Sequence, residues 1–351
     1  MADFSFVSGH HTATLGATAL GNTDDGFQIS HSYNIEPVRI DALGDTIVDG
    51  VYRGYNLRVS FTLSEWNAAG RDKALHFFDT TPGNSRAGGS AGNGKGGGSV
   101  MWETQAEETT SGYSKTAAPL IVKDKVVTGV AGGEFGIRGF LDAYNPTNGD
   151  REWRLYTIPG PDHPDNQTWA GDSWRTGGSP TWLTGSYDPD LNLVYWGTGP
   201  PAPLPETLRG AGKADLLFTN STLALDPDTG EMVWFFQHLP RDNWDLDHVF
   251  ERIIVETEVS PASSDVPWIS PDVRPGERRK VITGVPGKTG LIWTLDAATG
   301  QFLWARPTVY QNIMTGLDPR TGRPSFDEST APQSVETPSF ACPHLLGGKN
   351  Q

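Results

Sequence analysis

The feature that most constrains this chain is a turn repeated at a fixed distance from a tryptophan. Residues 223–234 read Leu-Ala-Leu-Asp-Pro-Asp-Thr-Gly-Glu-Met-Val-Trp, a pattern of strand, tight turn and strand. Pro227 presets φ at the first turn position, the Asp226 side chain can bond its own backbone, and Gly230 tolerates positive φ. The unit recurs at Asn145-Pro146-Thr147-Asn148-Gly149 with Trp153, and at Asp296-Ala297-Ala298-Thr299-Gly300 with Trp304. In each copy the tryptophan stands eight residues after the first turn residue. One such turn is an ordinary hairpin, whereas three with a tryptophan locked in place are a structural repeat. The copies lie farther apart than the roughly 40–45 residues of a minimal four-stranded propeller blade, so each blade carries insertions. Alternating hairpins fill the gaps, among them 120–122 with 126–129 and 187–189 with 196–199, and no long stretch has a helical period. The expected fold is all-β, a propeller with enlarged blades.

The formal net charge of −15 makes nucleic acid and anionic membrane poor partners. Abundant Gly (42) and Pro (26) suit many short strands joined by tight turns. No apolar run approaches the ~18–20 residues of a membrane span. Met1-Ala2-Asp3-Phe4 lacks the basic start and apolar core of a signal peptide. The single cysteine, Cys342, permits no internal disulfide.

Three segments are expected. Residues 1–83 form a small β-rich domain, with strands at 27–33 and 55–63, turns at 22–26 and 49–50, and a short helix over about 63–78. His10-His11 reads as a surface pair rather than a metal site. Residues 84–99, rich in Gly, Ser and Ala, read as a flexible linker. Residues 100–351 carry the repeat. The junction falls in mid-blade: 100–104 reads as a closing strand, yet Gly94, eight residues before Trp102, lies in the linker where a turn residue belongs.

Two resemblances follow. The 1–83 segment weakly resembles virion structural proteins of the phage tail-tube type, through 21–27 and 44–51. From Val100 onward the chain resembles the quinoprotein alcohol dehydrogenases, which carry pyrroloquinoline quinone (PQQ) in an eight-bladed propeller. The motifs are Tyr113-Ser114-Lys115-Thr116-Ala117-Ala118-Pro119-Leu120, Gly132-Gly133-Glu134-Phe135-Gly136-Ile137-Arg138-Gly139, Gly171 to Gly178 with Thr181-Trp182, and Tyr195-Trp196-Gly197-Thr198-Gly199. Asn243-Trp244-Asp245-Leu246-Asp247, Lys288-Thr289-Gly290, Cys342-Pro343 and Gly347-Gly348-Lys349-Asn350 continue the family order. The resemblance implies about three to four of the eight blades.

Oxidising an alcohol on a quinone requires hydride loss to a carbonyl carbon, a base for the hydroxyl proton and a hard cation on the quinone oxygens. The resemblance implies Asp245 as that base and Glu134, Asp245 and Asp247 as ligands of Ca²⁺ or a lanthanide ion. An aspartate at the position of Asp247 accompanies lanthanide use in the family. In an extended segment Asp245 and Asp247 project to one side, so both could face one ion. Trp182 would be the floor under PQQ, with Thr116, Gly132, Gly133, Lys288 and Asn350 around it. On residues alone Glu134 is equally a solvated carboxylate on a glycine turn, Trp182 a blade-core tryptophan, and Asp242, Asp245 and Asp247 an acidic loop in water.

The family also implies a small alcohol substrate, an electron acceptor such as a c-type cytochrome and a periplasmic location, against which the chain as written reads as cytoplasmic. It departs from the family at Pro200, where a metal-binding Asn is usual, and at Ala131, where a serine lies beside the cofactor. An incomplete propeller would leave the quinone open to water on one side and the activity low. The alternatives are a non-catalytic structural or binding protein, or an artificial fusion of the two segments.

Overall fold

The computed structural model describes residues 102–107, 111–209, 212, 214–284, 287–334 and 337–348, and the backbone of four strands before them. The chain divides into two compact units, Met1–Met101 and Trp102–Gln351.

In the first unit, β1 (Phe4–Phe6), β2 (His11–Leu15), β3 (Thr18–Arg39) and β4 (Ile47–Leu63) form one antiparallel sheet in which β3 pairs with the other three. The expected strands at 27–33 and 55–63 lie within β3 and β4. The expected turns do not form. Asp24-Asp25-Gly26 sits at a register shift inside β3, and Asp49 and Gly50 pair with Val38 and Pro37. Turn propensity is local, and the long ladder between β3 and β4 overrides it. The expected helix near 63–78, the 84–99 linker and His10 lie outside the described residues.

The second unit is built of blades. The first consists of β5 (Leu120–Val122), β6 (Lys125–Gly129), β7 (Phe140–Tyr144) and β8 (Arg151–Tyr156). The second consists of β9 (Ser186–Asp188), β10 (Leu193–Gly197), β11 (Ser221–Leu225) and β12 (Met232–Gln237). In the third, β13 (Arg252–Val259), β14 (Trp268–Ile269), β15 (Glu277–Gly284), β16 (Leu291–Asp296) and β17 (Phe302–Pro307) run in the order β13-β15-β16-β17-β14. The hairpin β18 (Met314–Leu317) and β19 (Pro324–Phe326) follows. Three blades and a hairpin make the partial all-β propeller that the repeat implied.

Each repeated turn closes on its glycine: Gly149 N–H donates to Asn145 O (2.9 Å), Gly230 to Asp226 O (2.8 Å) and Gly300 to Asp296 O (2.9 Å). The glycines have φ of 76°, 76° and 71°, the left-handed region where a Cβ is strained. They are required a second way. A Cβ on Gly149 would lie 2.5 Å from the Trp102 ring, on Gly230 2.5 Å from Trp153, and on Gly300 2.4 Å from Trp234. Trp102, Trp153 and Trp234 therefore lie on the turn glycine of the following blade, whereas the ring against the next turn glycine, Gly322, is Phe302 and not Trp304. Trp102 Nε1 donates to Pro146 O (2.8 Å) and Trp153 Nε1 to Pro227 O (2.9 Å), which ties ring to turn. Trp234 has no such bond, because the corresponding carbonyl, Ala297 O, accepts from the Tyr195 hydroxyl (2.9 Å).

In the first two copies the interval of eight residues is thus the span from one seam to the next. Trp102 takes its place at a seam although 102–106 forms no strand, so packing on the next blade, not a turn before it, defines the position. A fourth copy escaped the sequence pattern. Asp318-Pro319-Arg320-Thr321-Gly322 makes the same turn, Gly322 N–H to Asp318 O at 2.8 Å, but Phe326 stands where the tryptophan would.

The core lies between blades. One cluster joins Val127 and Leu141 of the first blade to Val194, Trp196 and Leu223 of the second. Another joins Tyr195 and Ala224 of the second to Trp293, Leu295 and Phe302 of the third. All five residues of β7, of β10 and of β11 are buried, as expected of strands covered on both faces.

Candidate functional site

The site is organised by Asp242. Its carboxylate is fully buried and accepts from Trp244 N–H (2.7 Å), Leu246 N–H (2.8 Å) and the Asn220 amide (2.8 Å). Both backbone bonds point back along the chain, so the loop after β12 curls around one side chain. Trp244 anchors the curl by donating to Thr330 O (2.9 Å). Asp245, at the bend, is held at φ 63°, strained for a residue with a Cβ. The reading of 242–247 as an acidic loop in water fails: Asp242 and Asp247 are buried and Asp245 is half-buried. The Asx-turn spacing from Asp242 to Trp244 was the available signal.

Lys288 meets this loop from the turn after β15. Its ammonium stands 2.7 Å from Asp247 Oδ2 and 3.1 Å from Asp245 Oδ2. Lys288 N–H also donates to Asp247 O (3.3 Å), and Lys288 O accepts from Gly348 N–H (2.8 Å), which pins the lysine at both backbone atoms. The lysine is 7 % exposed. Trp182 Nε1 donates to Asp247 Oδ1 (3.2 Å), and Trp182 O accepts from the Thr116 hydroxyl (2.8 Å). Trp182, Asp245, Asp247 and Lys288 are therefore one constellation, with Thr116 bonded to its tryptophan.

The charges do not balance. Two carboxylates share one ammonium. Burial, then the neighbouring Asp247, pushes Asp245 up to about 7 against the pull of Lys288. Burial likewise raises Asp247. Burial draws Lys288 down, but Asp247 and Asp245 outweigh it and hold the ammonium charged. One negative charge thus lacks a protein partner, and a bound proton or a bound cation would supply it. This donor set fits two ligands of a hard cation.

The other expected residues are placed differently. Glu134 is exposed on a short 3₁₀ turn (Gly133–Phe135), and among the described residues no three His, Cys, Asp or Glu side chains gather to hold a metal. Gly132 and Gly133 are explained by the protein itself. A Cβ on Gly132 would lie 2.0 Å from Gly112 O, and on Gly133 2.9 Å from Pro180 Cγ. The same Pro180 ring lies 2.9 Å from a Cβ on Gly199, whose other neighbour is Asp247 Oδ1, also at 2.9 Å. Pro180 thus lies between the Glu134 turn and Asp247. Pro200 offers only its backbone oxygen, which accepts from Ser179 N–H (3.0 Å). Asn350 lies outside the described residues.

The fold is that of a propeller quinoprotein. The family model described as PQQ glucose/ethanol/alcohol dehydrogenase, β-propeller domain, matches residues 71–312, and the chain belongs to this family. The quinoprotein alcohol dehydrogenase PedH of Pseudomonas putida is 36% identical over 275 residues, 72% of this chain and 43% of that protein. The lanthanide-dependent methanol dehydrogenase of Methylacidiphilum fumariolicum is 34% identical over 72% of this chain and 42% of its own length. Among solved structures, the quinohemoprotein alcohol dehydrogenase ADHIIG of Pseudomonas putida superposes with a TM-score of 0.63 at 34% identity, over 72% of this chain and 36% of that one. The chain spans less than half the length of the two curated relatives. The matched span begins at residue 71, ahead of the Gly/Ser-rich stretch.

Proposed function

We propose that the constellation around Lys288 serves a PQQ- and metal-dependent oxidation of a small alcohol. The observation that carries this reading is the pair of Asp247, buried against Trp182, and half-buried Asp245, which together carry one negative charge more than Lys288 neutralises. PQQ, when bound, would supply the carbonyl carbon that accepts the hydride. Asp245 would take the hydroxyl proton. A carboxylate raised to about 7 is well matched to proton transfer near neutrality. Trp182 would offer its indole face to the flat cofactor while its Nε1–H orients Asp247. Lys288 would hold acceptor oxygens and keep both carboxylates in register. Asp245 and Asp247 would hold the cation, Ca²⁺ or a lanthanide, with Glu134 as third ligand by the family resemblance although its exposed turn stands apart from them here. By the family, electrons would leave to a cytochrome-type acceptor in the periplasm.

Three carboxylates favour a trivalent over a divalent ion, which would offset the oxygen missing at Pro200. Calorimetric titration with La³⁺ and with Ca²⁺ in the presence of PQQ tests this. The expected result is tighter La³⁺ binding, bound-quinone absorbance, and loss of the La³⁺ preference in Asp247→Ala. Equal affinities, or an unaltered Asp247→Ala protein, would remove Asp247 from the site.

A further inference from the structure

Between the second and third blades lies a cavity of about 20 Å³, lined by Thr222, His238, His248, Arg252, Thr283 and Trp293 among others. A single water needs roughly 10–15 Å³. The space therefore admits one small occupant.

What borders it is unusual for a protein interior. Arg252 is 9 % exposed and its guanidinium has no carboxylate partner among the described residues. Its Nε–H donates to the Thr222 hydroxyl (2.9 Å), one NH2 hydrogen to His248 O (2.6 Å), and one NH1 hydrogen to Phe250 O. Guanidinium carries five N–H groups, so two remain after these bonds. An uncompensated buried cation is costly, and carbonyl dipoles answer only part of its charge.

A second donor is left over beside it. Thr222 Oγ already accepts from Arg252, and its own hydrogen has one bonded neighbour among the described residues, His238 Nε2 at 2.8 Å. That arrangement puts the ring proton of His238 on Nδ1. Nδ1 is buried, has no partner, and belongs to a side chain 3 % exposed. His238 stacks on His248 at 4.4 Å and 8°. His248 Nε2 is engaged with the Thr289 hydroxyl at 3.2 Å, so it does not compete for the cavity. The residues lining the cavity thus carry three N–H donors without a partner among the described residues, two of them on a cation.

We propose that this cavity is a binding site for one small monovalent inorganic anion of the halide class, held by Arg252 and His238. A water could accept these hydrogen bonds but would leave the charge unanswered, whereas a halide satisfies both. The anion would lock β11 and β12 of the second blade to the start of β13 in the third. His248, which lines the cavity, directly follows Asp247 in the chain.

Crystals of the full chain grown in sodium bromide test the site directly. An anomalous peak beside the Arg252 guanidinium and His238 Nδ1 is expected, and an ordinary water there, or an empty cavity, would overturn the proposal. In solution, chloride or bromide replacing gluconate at constant ionic strength should raise the melting temperature by roughly a few degrees. The rise should saturate with halide concentration and vanish in His238→Phe, which keeps the ring stack but removes the donor. A non-saturating salt effect, or one retained in His238→Phe, would count against the site. Should His238→Phe fail to fold, the bromide experiment on the unaltered protein decides alone.

Discussion

At the seam between the first and second blades, Trp153 lies flat on Gly230 and donates to Pro227 O. At the loop after β12, two carboxylates converge on one ammonium and Asp245 is held in a strained backbone conformation. The seam agrees with itself at every level: turn residue, positive φ, ring packing and hydrogen bond all call for the same geometry. The loop breaks local rules twice, in charge and in φ, and it persists because Asp242 holds it from within. Consistency across levels is what stability looks like, and a conflict maintained by its surroundings is what a functional site looks like.

The comparison can be broken at either end. The largest effect should come from Asp245→Asn. Single-turnover reduction of bound PQQ by an alcohol should slow about 100- to 10,000-fold, the usual worth of a positioned base. The melting temperature should hold or rise, since a buried like charge is removed. A fall in stability of the same size as at the seam would erase the distinction between the two regions.

Next, Trp153→Ala should cost roughly 3 kcal/mol, the lower end for removing a core tryptophan, because the ring is half-buried. Gly230→Ala should cost a similar amount, through strain at φ 76° and the clash with the Trp153 ring. Urea unfolding measures both. Neither should alter the La³⁺ to Ca²⁺ preference, and a change there would mean that the seam and the site are coupled.

Asp242→Asn sits between the two regions. The amide keeps one acceptor oxygen for three donors, so about 1–3 kcal/mol should be lost. Unlike the seam variants it should also weaken cation binding, because the curl that presents Asp245 loosens. A loss of stability with binding intact would show that Asp242 only braces the fold.

The smallest effect is acid sensitivity. Burial holds His238 and His248 well below the ordinary imidazole range, so both are neutral when folded. The unfolded chain takes up protons near pH 6.5, and the folded chain does so only at much lower pH. Their contribution is therefore fully present above about pH 6.5 and lost as pH falls below it. The slope approaches ~1.4 kcal/mol per pH unit for each histidine. Asp242, Asp245 and Asp247, which burial raises, oppose this slope over the same range, so it is read as a difference: in urea unfolding at pH 7, 6 and 5, His238→Phe should lose less stability toward low pH than the unaltered protein.

The sequence by itself determined the repeat, because its signals are local. A proline or aspartate at a turn and a glycine at positive φ act within five residues, and eight residues of extended chain set where the next tryptophan falls. It also marked Trp182, Asp245, Asp247 and Lys288, since those motifs stand at family spacing. The tertiary structure decided what distance along the chain conceals. Trp153 and Gly230 are 77 residues apart, and nothing near either announces that one must be bare for the other to lie on it. Gly132 and Gly133 suggested room for a ligand, yet the molecule fills that room with Gly112 and Pro180. Asp242 looked solvated from its neighbours and is buried, and a charge goes inside only where donors from the rest of the fold are already waiting. Burial, the pairing of charges and the approach of one backbone to another are properties of the packed chain, and they turned an acidic stretch into a candidate site.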